Sequence, residues 1–459
     1  MDGCILLNLF NSPFRWNGGV HMEIFRNRNF TLLFIGRILT NIGDSLYGVA
    51  AMWLVYSLGG STLYTGLAGF LSILPRIIQL FSGPMIDRIP LRGLLVYTQL
   101  SQALLLLIVP VAHYFGFLTV GLVLAITPIL TTLNMWFYPA QLSALPKILD
   151  KKLLTQGNSL FSIAYQGIEV ACNAFSGALI IVLGAVSLYL WNSLGFFIGA
   201  LLFTQLRIKT FKNNSYNNDH TKSNNEADRS KTRRDHLKNY ISDMKEGLRL
   251  ILATPLSRIQ FGVIVINAAG GATFTVMPAF ANSLGGAGVY GILLMAQACG
   301  SLLGAVLAPY MKLDRVRLGY LFAAAFCLSG TAWCFSIFSH WTWLVILVYG
   351  LAWFPGGVTN VIINTVIQKG VPEKSLGTVF AAASGISGIV MPLGNLIGGS
   401  IGVIAASSSV IAGCGIAVIG VGLYWLFDPV TRSLPTAAEV DGTWFAPARS
   451  GSVSTSTSV

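Results

Sequence analysis

The chain has 459 residues, of which 54% are hydrophobic and only 10% charged, and its formal net charge is +12. Soluble globular domains are about one quarter charged, so this composition excludes one and points to lipid as the solvent. A thin basic excess over so apolar a chain is a topology signal with some attraction to anionic headgroups, not a nucleic-acid footprint.

In chain order, residues 1–29 form an N-terminal tail. Its short apolar stretch Cys4–Phe10 precedes Arg15 and no small-residue cleavage site follows, so a cleavable signal is not expected, and Met22 offers an alternative start. Twelve apolar runs then follow, at Phe30–Leu58, Leu63–Ile86, Gly93–Tyr114, Leu118–Ala140, Gly157–Leu183, Val186–Leu206, Ile259–Asn282, Gly286–Met311, Leu318–Phe338, Trp341–Ile367, Leu376–Ala405 and Val410–Phe427. Each has about 18 residues or more, enough to cross a hydrocarbon core of about 30 Å as a helix. They are continuously apolar, whereas barrel strands alternate over about ten residues, and lipid allows no third spanning structure.

The longest polar interruption divides the runs six and six, giving an N-terminal bundle over 30–207, a linker over 208–258 and a C-terminal bundle over 259–427. The linker ends in "HLKNYISDMKEGLRLIL", where Leu237, Tyr240, Ile241, Met244, Leu248 and Ile251 recur at helical spacing, so an amphipathic helix on the cytoplasmic face is expected. Residues 428–459, rich in Ser, Thr, Pro and Gly, read as a disordered tail.

Positive charge fixes the expected orientation. Arg26, Arg28, Arg88, Arg92, Lys147, Lys151, Lys152, the run Arg207 to Arg258, Lys312, Arg315, Arg317, Lys369, Lys374 and Arg432 fall in alternate connections. Gly59–Thr62, Phe115–Phe117, Ser283–Gly285 and Ala406–Ser409 contain no Lys or Arg. Cytoplasmic loops retain such residues, so a multi-pass protein of the cell membrane with both termini cytoplasmic is expected. Five of the six cysteines lie within spans and suggest no disulfide framework.

Charged residues at membrane depth are costly and seldom persist without a role. Asp44 in span 1 and Glu169 in span 5 fall near the midplane, and Arg37 and Arg76 nearer the cytoplasmic ends of spans 1 and 2. Two readings stand: Asp44 and Glu169 exchange protons as water access changes, or they form permanent pairs with Arg37 and Arg76. No span of the second half contains an acid. There is no Walker-type loop for a nucleotide-driven pump and no His-Glu-x-x-His or nucleophile constellation for an enzyme, so no cofactor and no metal are expected.

Span 2 ends in "SGPMIDRIPLRG", and span 8 ends similarly in "GAVLAPYMKLDRVRLG", with Asp314, Arg315 and Arg317. Matching loops after the second and eighth of twelve spans indicate parallel repeats around a midplane site. The first loop resembles the Gly-x-x-x-Asp-Arg-x-Gly-x-Arg-Arg motif of the major facilitator superfamily, through Gly83, Asp87, Arg88 and Arg92, with Pro90 and Gly93 departing from it. "NRNFTLLFIGRILTNIGDSLYGVAAMWLVYSL", "LPRIIQLFSGPMIDR", "DMKEGLRLIL" and "MPLGNLIGG" resemble the macrolide-efflux and enterobactin-exporter branch of its drug/proton antiporters. The Gly-Pro-x-x-x-Gly signature of many exporters is not met, since Cys172-Asn173 precede Gly177.

The resemblance implies an all-α polytopic protein of twelve transmembrane helices in two six-helix bundles. It implies that Gly83, Asp87, Arg88 and Arg92 act as a conformational latch against the start of span 11, where Ser375 is a candidate N-cap. The plain alternative is that these charges end and orient a span. It also implies a cavity lined by spans 1, 4, 7 and 10, with Tyr47, Asn134, Trp136, Tyr138, Asn267, Phe274, Met277, Trp353, Asn360 and Asn364 as candidates. Aromatic and Met side chains suit a bulky amphipathic ligand and Asn supplies hydrogen bonds. The expected protein is a monomeric proton-driven exporter of macrolide-like or other amphipathic drugs, its partners the substrate, protons and the bilayer. Export of an endogenous siderophore or lipid, or proton-coupled uptake, remains the alternative.

Overall fold

The computed structural model describes residues 24–72, 75, 90–150, 153–207, 249, 252, 254–311, 313–339, 341–371 and 373–440. The first half contains α1 Arg28–Gly59, α2 Thr62–Leu71, α3 Leu91–Tyr114, α4 Val120–Ile148, α5 Leu154–Leu183 and α6 Ala185–Thr204. The second contains α7 Leu256–Leu284, α8 Ala287–Leu307, α9 Leu318–Ser336, α10 Thr342–Gly370, α11 Glu373–Ile404 and α12 Ser407–Phe427. A one-turn α13, Pro429–Arg432, follows. Among the described residues ten helices are long and apolar enough to cross a membrane. The 30-residue α5 is also long enough to cross, and α2 is the described part of a span whose remainder lies outside the described residues.

Local chemistry sets the helix ends. The Asn27 side chain accepts hydrogen bonds from the Asn29 and Phe30 amides at 3.0 and 3.2 Å, which caps α1 at its start. Gly60 stops the helix at φ 62°, a left-handed conformation that a side chain would strain. Pro110, Pro278, Pro355 and Pro392 sit inside helices, where neighbouring helices compensate the freed carbonyls.

The halves are packed alike. In the first, α1 packs on α5 and α6, α3 on α4 and α6, and α2 on α4; in the second, α7 packs on α11 and α12, α9 on α10 and α12, and α8 on α10. Adding six to each helix number of the first set gives the second, so the chain is two parallel repeats, as the echo between its loops indicates. The repeats meet through α2 with α11 and α5 with α8, which are equivalent pairs, and through α7 with α1 and α2. Large apolar side chains such as Phe175, Trp191, Phe197, Leu302, Ile397 and Ile404 are exposed, as a lipid-facing surface requires.

The C-terminal segment corrects an expectation. Residues 428–440 are ordered rather than disordered: the Asp428 carboxylate caps α13 by accepting from the Thr431 amide at 2.9 Å and hydroxyl at 2.7 Å. The Leu318 amide then donates to the Pro435 carbonyl at 3.0 Å, and Leu434, Ala437 and Val440 are buried. Burial of three apolar side chains offsets the polar composition that suggested disorder. A second correction concerns Ser375, which lies inside α11 because that helix starts at Glu373. The expected amphipathic linker helix and the tail from 441 fall outside the described residues, apart from Arg249 and Leu252, which are helical.

Candidate functional site

Asp44 lies halfway along α1, about 24 Å from its start at 1.5 Å per residue. Its carboxylate is partly buried; Asn134 on α4 reaches it, and Arg37 acts on it electrostatically from nearly two turns nearer the helix start. Arg37 is only 2% exposed, and its guanidinium donates to Gln141 Oε1 at 2.7 Å and lies 5.0 Å over the Phe161 ring. A buried guanidinium needs such compensation, and a desolvated cation–π contact contributes about 2 kcal/mol. Gln141 and Phe161 had no sequence signal, because each meets Arg37 only after more than a hundred intervening residues fold. Farther along α1, Tyr47 donates to Thr127 Oγ1 at 2.9 Å and meets Tyr189 edge-on at 5.6 Å. The result is a polar column inside one bundle, built by α1, α4 and α5.

About 13 Å beyond Asp44, at the end remote from the basic connections, the bundles are clamped together. Trp53 stacks on Tyr290 at 5.5 Å. Thr62 Oγ1 donates to the Gly399 carbonyl and Thr65 Oγ1 to the Thr275 carbonyl, each at 2.9 Å. Thr275 Oγ1 in turn donates to Asn395 Oδ1 at 3.2 Å. A Cβ on Gly66 would lie 2.8 Å from the Asn395 carbonyl oxygen and 2.9 Å from Gly399 Cα. On the equivalent pair, Gly177 of α5 sits directly on the backbone of Gly291 of α8, with no room for a Cβ on either. Small residues permit this backbone approach, the usual route to tight helix packing in lipid. These contacts all fall in the halves of α1, α2, α5, α7, α8 and α11 farthest from the basic connections. Sequence reasoning missed this clamp; Gly399 and Gly402, which face Thr62 across the seam, were its signal.

The remaining candidates divide. Asn360 and Asn364 are exposed and hydrogen-bonded to each other at 3.1 Å. Trp136 is partly exposed, with a buried Nε1 that has no partner among the described residues. Asn267 is partly exposed but donates to the Val263 carbonyl of its own helix at 2.8 Å, and Phe274 packs on the core. Met277 is fully buried, and Trp353, partly exposed, lies against Trp333 at 5.5 Å. Glu169, a candidate at depth for proton exchange or for pairing with Arg76, has an exposed side chain midway along α5. Arg76, Gly83, Asp87 and Arg88, and the Tyr138 side chain, lie outside the described residues. Arg92 is tied to its own bundle, donating to the Thr204 carbonyl at the end of α6.

Two repeated helical bundles, clamped at one end and carrying a buried charged column in the first, are the architecture of a membrane transporter. The family model "Major Facilitator Superfamily" matches residues 33–395, and the chain belongs to that superfamily. It is 25% identical over 442 residues to the uncharacterized MFS-type transporter YvqJ of Bacillus subtilis, covering 93% of this chain and 96% of that one. It is 23% identical over 420 residues to the multidrug efflux pump Tap of Mycolicibacterium fortuitum, covering 89% and 97%. Among solved structures, the nucleoside transporter NupG superposes with a TM-score of 0.62 at 12% identity, over 88% of this chain and all of that one. A bacterial homologue of the lysosomal transporter Spinster, inward-facing and occupied, gives 0.57 at 12% identity over 88% and 94%.

Proposed function

We propose that the protein exports bulky amphipathic compounds, macrolide-like or other drugs, in exchange for protons, and that its basic end faces the cytoplasm. The carrying observation is Asp44, partly buried beside Asn134 and Arg37 at the middle of α1, below a clamp that closes the opposite end. With the basic end inside, closure of the opposite end supports reading this arrangement as the inward-facing half of the cycle. Similarity to a multidrug efflux pump over nearly the whole chain supports the drug-export reading.

In this mechanism Asp44 holds a proton in one conformation and releases it in the other, because water access to its carboxylate changes as the bundles rock. Substrate enters from the cytoplasm or inner leaflet past Asn360, Asn364 and Trp136. A membrane potential contributes about 2.3 kcal/mol per proton per 100 mV, enough for a useful substrate gradient once the pH term is added. Interhelical hydrogen bonds in membranes contribute about 0.6 kcal/mol each, so the two bonds across the clamp are weak enough for ligand and proton binding to reverse.

The test is transport by the full chain in inverted vesicles against a panel of macrolides and cationic dyes. Gradient-dependent accumulation by the wild type, lost in Asp44→Asn while substrate binding remains, is expected. Accumulation that survives collapse of the proton gradient, or an Asp44→Asn variant that pumps normally, contradicts the proposal.

A further inference from the structure

Apart from the transport path, the first bundle has a basic pocket at the end where its chain begins. It has a volume of about 260 Å³ and is lined by Arg28, Arg92, Thr204, Gln205, Leu206 and Arg207. The fold makes it from three neighbouring helix ends: Arg28 opens α1, Arg92 lies in the first turn of α3, and residues 204–207 close α6. All three guanidinium-bearing residues are exposed.

Part of the arrangement is accounted for by helix capping. Arg92 donates to the Thr204 carbonyl, and Arg28 donates to Gln205 Oε1 at 3.1 Å. The backbone of Arg207 is held by Asn29, whose amide donates to the Arg207 carbonyl and whose Oδ1 accepts from its N–H, both at 3.0 Å. The first two bonds position the Arg92 and Arg28 side chains through one N–H each, of five on each guanidinium, and the last two position the Arg207 backbone. The carbonyl end of α6 carries only about half a negative charge, against three full positive ones. No lining residue is acidic, and among the described residues no carboxylate pairs with these arginines. Guanidinium forks match the oxygen geometry of a phosphate.

We propose that this pocket binds a phosphate-bearing anion, and its position among helix ends at the membrane surface points to the headgroup of an anionic lipid. The same chemistry would accept inorganic phosphate from solution, and the two sources separate experimentally. Purified full-length protein is analysed by native mass spectrometry with phosphatidylglycerol or phosphatidylcholine, and by thermal shift with millimolar inorganic phosphate. Phosphatidylglycerol should be retained in preference to phosphatidylcholine. Each arginine removed should weaken it about fivefold, so Arg28→Gln with Arg207→Gln should nearly abolish the preference. Arg28→Lys with Arg207→Lys, which keeps the charge and guards against misfolding, should retain most of it, and Lys369→Gln, outside the pocket, should retain all of it. Phosphate protection of the wild type but not of the Gln double variant would support the site with a soluble ligand. If neither probe binds, or if the Gln double variant and Lys369→Gln bind alike, the proposal is wrong.

Discussion

The two halves pair their helices in the same order but fill the contacts differently. In the first, polar side chains join the helices: Thr40 donates to Gln99 Oε1 at 3.2 Å, Ser193 to the Ala103 carbonyl at 2.7 Å, and Arg37 to Gln141 Oε1 at 2.7 Å. In the second, glycines bring backbones together: Gly300 meets the Gly350 carbonyl, Gly304 that of Phe354, Gly357 that of Ser301, and Gly330 that of Gly415. One topology therefore supports two kinds of interior. Titratable chemistry at depth is held by side-chain partners in one bundle, and the other is a close-packed body. Perturbing the first should change coupling, whereas perturbing the seam with the second should change the position of the gate.

The largest effect should come from the seam. Gly177→Leu or Gly66→Leu drives a side chain into the backbone of the facing helix, and overpacking costs about 1–3 kcal/mol. Closure should weaken by about five- to a hundredfold, transport should fall accordingly, and spin labels at Ser61 and Asn282 should report longer separations. Gly356→Ala, where a Cβ meets nothing within 4 Å, should leave those distances unchanged. If the seam variants behave like Gly356→Ala, the clamp is not a moving part.

Next comes the charged column. Arg37→Met should lower thermal stability by about 1–3 kcal/mol, because Gln141 loses its donor in the interior. Arg37→Met combined with Gln141→Leu should recover much of that loss, and a double-mutant cycle measures the coupling. Additive losses would mean that the pair is not the support described here.

Thr65→Val removes one bond across the seam and should shift the gate about threefold toward opening, corresponding to about 0.6 kcal/mol, readable with the same spin labels. The smallest effect belongs to Asp428. Burial pushes its carboxyl up, but the Thr431 hydroxyl and amide and the nearby Arg258 guanidinium outweigh this and hold it below the ordinary carboxylate range. A depressed value means that the folded state gains stability above about pH 3.9 and loses it as the pH falls through the lowered value. Asp428→Asn, which keeps an N-cap, should cost less than about 1 kcal/mol and flatten the acid side of the stability profile.

Much of the fold was legible because lipid permits few answers: continuous apolar runs must be helices, and matching loops after spans 2 and 8 mark the repeat. Asp44 was legible because a carboxylate at midspan is rare in any membrane helix. Its surroundings were not, since Arg37 reads as a partner for Asp44 until Gln141 and Phe161 arrive from α4 and α5. The clamp was hidden for another reason: glycine has no side chain to advertise a contact, so Gly66, Gly177 and Gly291 stand out only once their facing helices are in place. Met277 shares a helix with plausible cavity residues but turns into the core, and composition alone cannot give that rotation. The segment after Asp428 escaped notice because Leu434, Ala437 and Val440 follow no helical period.

Proton flux driven by substrate tests the central claim most directly. Proteoliposomes containing the full chain and a trapped pH dye are given a substrate gradient with no imposed pH gradient. The wild type should move protons opposite to substrate, and Asp44→Asn should equilibrate substrate with no proton movement. Substrate movement without proton movement in the wild type, or equal proton movement in Asp44→Asn, would contradict antiport through Asp44.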